Sequence, residues 1–169
     1  MNNIVLVGFM GSGKSTVGKK LADKLGWTFT DTDARVEREQ MTSISELFRR
    51  HGEAYFRELE SRVLEDVLAE GQQVVATGGG IVLAERNRLR MLECGLVVAL
   101  KAEASEVIRR VSSDRSRPLL QGDVGERVRT LMEQRKHAYD FAHISIDTSA
   151  LGVDQVIELI VERLRHKPL

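Results

Sequence analysis

Short apolar runs alternate along the chain with longer stretches in which apolar residues recur at helical spacing. Ile4-Val5-Leu6-Val7 reads as a strand, and Val17, Leu21 and Leu25 follow at about the 3.6-residue period of a helix. Further strand candidates lie at residues 28–30, 73–77, 96–100 and 144–146, each followed by turn residues and a helical pattern. Near-continuous apolar strands separated by amphipathic helices imply a parallel sheet covered on both faces. The expected fold is therefore α/β, a three-layer sandwich around a five-stranded parallel sheet. Two segments break the rhythm. Within residues 42–70, Ser43 and Glu46 spell a capping box, and Ile44, Leu47 and Phe48 continue at helical spacing with no strand between, which predicts an all-helical insert between strands two and three. Residues 112–124 carry Ser, Asp, Arg, Pro and Gly with little apolar period, the composition of a surface loop.

Composition narrows the class. A chain of 169 residues with 42% hydrophobic content supports one compact core, so residues 1–169 are expected to form a single domain. Lys plus Arg number 25 and Asp plus Glu number 25, leaving no excess positive field to gather nucleic acid or an anionic membrane. Met1-Asn2-Asn3 runs straight into the first strand without a basic or long apolar leader, and no apolar run approaches the roughly 20 residues that span a bilayer. A cytoplasmic location is expected. Cys94, the single cysteine, excludes an internal disulfide and reads as a small filler at a helix end before Gly95. His51, His137, His143 and His166 have no ligand spacing and read as surface or structural residues.

Gly8-Phe9-Met10-Gly11-Ser12-Gly13-Lys14-Ser15 fits G-x-x-x-x-G-K-[ST] at every fixed position, directly after an apolar strand and opening a helix. Glycines let the backbone curl so that successive N–H groups face phosphate oxygens, and the following helix adds its positive end. Gly11, Ser12 and Gly13 belong to this cradle. Lys14 is placed to reach the β- and γ-phosphates of ATP, the Ser15 hydroxyl to ligate Mg²⁺, and Thr16 to touch the α-phosphate.

The remaining polar groups are less decisive when read alone. No Asn-Lys-x-Asp guanine reader occurs, and the strand Val74-Val75-Ala76-Thr77 ends in Gly78-Gly79-Gly80 without the carboxylate of a hydrolytic motor. Asp31-Thr32-Asp33 follows the second strand. On an extended segment both carboxylates would share a face, one toward Mg²⁺ and one toward an acceptor hydroxyl. Equally, Asp33 could be the N-cap of a helix over residues 34–39. Arg57 has Glu58, Glu60 and Arg62 at helical spacings and also reads as part of a solvated, ion-paired face. Glycine at 79 would let backbone N–H groups approach a ligand, or merely make a tight turn. Arg115 and Arg117 also read as solvated loop charges.

The P-loop, Asp31-Thr32-Asp33, Phe56-Arg57-Glu58-Leu59-Glu60, Gly78-Gly79-Gly80, Arg117-Pro118-Leu119-Leu120, and Arg135 with Tyr139 fall in the order and spacing of shikimate kinases. The chain resembles that family over essentially its whole length. The resemblance implies a P-loop NTPase fold of the nucleoside monophosphate kinase type, with a helical substrate-binding insert at about 33–61 and a lid at about 112–124. It implies transfer of the ATP γ-phosphate to the 3-hydroxyl of shikimate, giving shikimate 3-phosphate and ADP in aromatic amino acid biosynthesis, by a Mg²⁺-dependent monomer. By the same resemblance Asp33 contacts the acceptor and helps activate its hydroxyl, and Asp31 holds the metal through water. Arg57, Gly79 and Arg135 bind the acceptor, with Glu60 orienting Arg57. Arg117 reaches over the phosphates, and Arg110 stacks on adenine opposite residues 146–148. Ser149-Ala150-Leu151 departs from the pattern, since some relatives carry a basic residue there. Two other readings stay open, another P-loop metabolite kinase acting on gluconate or nucleoside monophosphates, and a nonenzymatic ATP-binding regulator.

Overall fold

The computed structural model describes residues 3–112 and 123–166. The five expected strands are present as β1 (Asn3–Val7), β2 (Thr28–Asp31), β3 (Gln73–Ala76), β4 (Gly95–Lys101) and β5 (Ile144–Asp147). They form one sheet in the order β2-β3-β1-β4-β5, and every pairing is parallel. Val5 of the central strand lies opposite Val75 on one side and Val97 on the other.

Successive β1 side chains enter different cores. Ile4 and Leu6 pack with α1 (Lys14–Leu25) and α7 (Val153–His166), whose Val17, Leu21, Ile157 and Ile160 are buried there. Val5 and Val7 face the opposite layer, built from α2 (Thr32–Gln40), α3 (Ile44–Glu70), α4 (Glu85–Cys94), α5 (Ala104–Val111) and α6 (Val124–Gln134). Both faces of β1, β3 and β4 are therefore dry, which is why those strands read as near-continuous apolar runs, whereas the edge strands β2 and β5 are part-exposed and alternate.

The helical segment between β2 and β3 consists of α2 and α3. Ser43 caps α3 by accepting from the Glu46 N–H at 3.2 Å, while the Glu46 carboxylate is engaged by Arg49 and Arg50. At Gly52 (φ 81, ψ 176) α3 kinks, so it is two helical pieces end to end. Cys94 is the last residue of α4, as its filler reading expects. His143 has a structural use, its Nδ1 accepting from the buried Val97 N–H at 2.9 Å beside the start of β5. Among the described residues no helix is long and apolar enough to cross a membrane.

At the C-terminal edge of β1 the chain turns at Gly8, with φ 146. A Cβ here would lie 2.2 Å from the Leu100 carbonyl oxygen of the neighbouring strand, so only glycine lets the loop leave the sheet in this direction. Helix α1 has Gly13 (φ 98) as its N-cap, which offers its first turn no side-chain cap. Its first N–H groups are left to the loop and to whatever anion enters it.

Candidate functional site

A cavity of about 700 Å³ opens above the C-terminal ends of the strands, where ligands of open α/β sheets bind. The site residues predicted from sequence line it, except Arg117 and, of the expected adenine wall at 146–148, Ile146 and Asp147. Arg117 and most of the segment assigned to a lid fall in residues 113–122, outside the described part of the chain.

The phosphate-loop end is held by its own hydrogen bonds. Lys14 is buried despite its charge, and its Nζ donates to the carbonyls of Gly8 at 2.7 Å and Phe9 at 2.9 Å. The amine thus stands inside the curl of the loop, positioned before any nucleotide arrives. Thr148, just past β5, places its hydroxyl 3.0 Å from both the Ser12 and Lys101 carbonyl oxygens and ties the loop to the far side of the sheet. Arg110 donates from Nη1 to the Gly11 carbonyl at 2.8 Å and from Nε to Glu106 at 2.8 Å.

The two aspartates do not lie on an extended segment. Asp31 ends β2 in extended conformation, and α2 begins at Thr32. It is Asp31, not Asp33, that caps α2, its Oδ1 accepting from the Ala34 N–H at 3.1 Å. Its Oδ2 accepts from the Ser15 hydroxyl at 2.9 Å, which joins β2 to the start of α1. A serine hydroxyl beside a carboxylate at the mouth of a phosphate cradle is a donor set that suits a hard divalent cation sharing phosphate and water ligands. Asp33 sits in the first turn of α2, with Oδ1 2.7 Å from the point where a Cβ on Gly78 would stand. Between them Thr32 is fully buried, its Oγ1 accepting from the Gly78 N–H at 3.3 Å. Thr32 is a positioning contact that sequence reasoning missed, and only the flanking aspartates drew attention to it.

The glycine triplet is a floor onto which the other charged groups converge. A Cβ on Gly80 would lie 2.3 Å from Arg57 Nη2, and one on Gly79 would lie 3.5 Å from Arg135 Nη1. Two guanidinium groups from distant parts of the chain therefore rest against adjacent residues, whose Cα atoms are about 3.8 Å apart. Arg57 is not on a solvated face. It donates from Nη1 to Glu60 at 2.9 Å and from Nη2 to Glu53 at 3.2 Å, and its Cζ lies 5.3 Å from the Phe56 ring centre. Burial alone would lower its pKa, but the negative charges of Glu60 and Glu53 outweigh that and raise it. Glu60, in the same helix, is 1% exposed, and burial lifts it to about 7 against the opposing pull of Arg57.

Arg135 follows α6 as its C-terminal cap, not as a helical residue. It is 6% exposed, its Cζ 6.0 Å from the Phe9 ring centre, and its charge acts on the buried Glu60. A buried guanidinium is costly unless an anion balances it. Tyr139, one turn on, donates its hydroxyl to the Gly79 carbonyl at 2.7 Å, and burial raises its pKa.

A phosphate cradle and a pair of convergent arginines thus share one cavity. The family model described as shikimate kinase matches residues 10–165. The shikimate kinase of Geobacter sulfurreducens is 45% identical over 97% of this chain and 91% of its own length. The chain belongs to the shikimate kinase family. The shikimate kinase of Persephonella marina is 44% identical over 98% of the chain and 100% of its own length. Among solved structures, the shikimate kinase from Acinetobacter baumannii in complex with shikimate superposes with a TM-score of 0.93 at 35% identity, covering 98% of this chain and 93% of that one.

The segment Ser149-Ala150-Leu151 is held by local bonds. The Ser149 N–H donates to Asp147 Oδ1 at 2.8 Å, and its hydroxyl accepts from the Glu103 N–H at 2.8 Å. These bonds fasten the loop after β5 to the start of α5. Leu151 then contributes an apolar wall to the cavity.

Proposed function

We propose that the chain transfers the γ-phosphoryl group of ATP to the 3-hydroxyl of shikimate, giving shikimate 3-phosphate and ADP. The observation that carries this reading is the convergence of Arg57 and Arg135 on Gly79 and Gly80, in the cavity that the phosphate loop closes at its other end. An anionic ring acid held by two guanidinium groups has its carboxylate fixed from two directions, which orients its hydroxyls. Positioning of this kind supplies most of the rate in phosphoryl transfer, because a metaphosphate-like transition state asks little covalent chemistry of the protein.

In this reading the backbone of Gly11, Ser12 and Gly13, with Lys14 and Thr16, holds the phosphates. Ser15 and Asp31 hold Mg²⁺, which would neutralise charge on the β- and γ-phosphates. Asp33 orients the acceptor hydroxyl and receives its proton late in transfer. Arg110 and Thr148 border the adenine, and Arg117 is assigned to the transferring group on family resemblance. The same resemblance supports a single domain over residues 1–169 with an acceptor-binding insert at about 33–61, and a cytoplasmic monomer.

The decisive assay is coupled ADP release with MgATP and a panel of shikimate, gluconate and nucleoside monophosphates. Shikimate-dependent turnover, with the other acceptors near background, is expected. Turnover with another acceptor would move the chain to a different metabolite kinase, and no turnover with any would leave a nonenzymatic nucleotide binder.

Gly80 offers a test of the clamp that substitutes neither arginine. Its φ of −94 and ψ of 0 suit any residue, so an added methyl is unwelcome only because the Arg57 guanidinium occupies the space. Gly80→Ala should displace that flexible side chain without unfolding the protein. Loss of one charge-assisted contact raises the shikimate KM about tenfold to a hundredfold, corresponding to roughly 1.5 to 3 kcal/mol. The ATP KM should stay within about twofold, since the phosphate loop is untouched. An unchanged shikimate KM in steady-state kinetics would remove Arg57 from the acceptor site.

A further inference from the structure

Glu60 stands on the cavity wall, yet it is sealed from solvent almost completely. One carboxylate oxygen, Oε2, accepts from Arg57 at 2.9 Å, while the buried Oε1 has no hydrogen-bond partner among the described residues. Oε1 lies 2.9 Å from the point where a Cβ on Gly78 would stand, and Asp33 Oδ1 lies 2.7 Å from the same point, so two carboxylates crowd one glycine. The charged groups around Glu60 come from three elements: Asp33 on α2, Arg57 on α3 with Glu53 behind it, and Arg135 at the end of α6. A buried carboxylate beside a second one is tolerated when a cation balances it or a proton neutralises it. Here the balancing cation is Arg57, and Arg57 is also the group an incoming carboxylate would engage.

We propose that Glu60 takes up a proton from solvent when an anionic acceptor binds, so that acceptor binding is linked to proton uptake through Arg57. The proposal rests on the shikimate reading above. A bound carboxylate divides the attention of Arg57 and adds a like charge nearby, and both effects favour the neutral acid at Glu60. Protonated, Glu60 keeps Oε2 as an acceptor for Arg57 and turns Oε1 from an unmatched acceptor into a donor facing Asp33. Burial, reinforced by the Asp33 charge, already places Glu60 near 7, where a modest change in its surroundings alters its protonation at physiological pH.

Titration calorimetry with shikimate, in buffers of equal pH but different ionisation enthalpy, counts the protons exchanged. If the ligand raises the proton affinity of Glu60 tenfold, roughly half a proton is taken up per shikimate at about pH 7.5, fading toward about pH 5.5 and pH 9.5. Glu60→Gln, nearly isosteric and checked for folding by thermal melt, should bind shikimate with no uptake. If that variant fails to fold, the wild-type pH profile decides, and uptake peaking between about pH 7 and 8 supports the linkage. Wild-type uptake below about a tenth of a proton across this range, or uptake retained in Glu60→Gln, overturns the linkage and leaves the shikimate reading intact. No shikimate binding at any pH overturns that reading and the linkage with it.

Discussion

Lys14→Ala should lower kcat/KM for ATP by about a thousandfold or more. The amine is buried at the inner wall of the phosphate loop and held there by the Gly8 and Phe9 carbonyls. Those bonds fix its position before nucleotide binds, so little reorganisation is needed when charge develops on the γ-phosphoryl oxygens. Alanine removes the charge, and no other cation in the loop sequence replaces it. It also leaves the two carbonyls without their donor, so a fall in melting temperature of the nucleotide-free protein should accompany the kinetic loss. The two effects separate experimentally, because a folded Lys14→Ala protein at low temperature still shows the kinetic defect. If the folded variant kept kcat/KM within about tenfold of wild type, phosphate stabilisation would have to be assigned to the backbone N–H groups and the α1 terminus instead.

The sheet and the phosphate loop were legible in the sequence because each is encoded contiguously. Strands buried on both faces leave unbroken apolar runs, and the loop declares itself in eight successive residues. The acceptor end is assembled from four separate segments, and there local pattern misled. Arg57, with acidic residues one turn away on either side, looks like any ion-paired helix surface, and periodicity cannot reveal that Glu60 is buried beneath it. Arg135 has no pattern of its own, since it follows α6 and gains its meaning only from Phe9 and Gly79, far away in sequence. Family resemblance supplied both arginines before the structure did.

The Asp31-Thr32-Asp33 element shows the limit of local rules more finely. Either aspartate satisfies the preference for a cap, and the choice is made by where β2 stops pairing. Asp31 is still paired with Ala76 of β3, so the helix starts one residue later, and the two acids are separated by a change from strand to helix. That change divides their work. Asp31 turns toward Ser15, and Asp33 turns toward Gly78 and Glu60.

Asp33→Asn tests that division. The amide keeps the size of the side chain and its place in the first turn of α2, but it loses the charge and the ability to accept a proton. Turnover at saturating shikimate should fall by about a hundredfold to ten-thousandfold, the range for a positioned acid–base group. The ATP KM should be nearly unchanged, because Ser15 and Asp31 on the nucleotide side are untouched. This split distinguishes Asp33 from Lys14, whose loss weakens nucleotide engagement itself. Removing the Asp33 charge also relieves one of the influences that hold Glu60 high, so acceptor-linked proton uptake should move to lower pH in the variant. A kcat within about threefold of wild type would reassign Asp33 to holding the fold of α2, and some other group would then have to orient the acceptor hydroxyl.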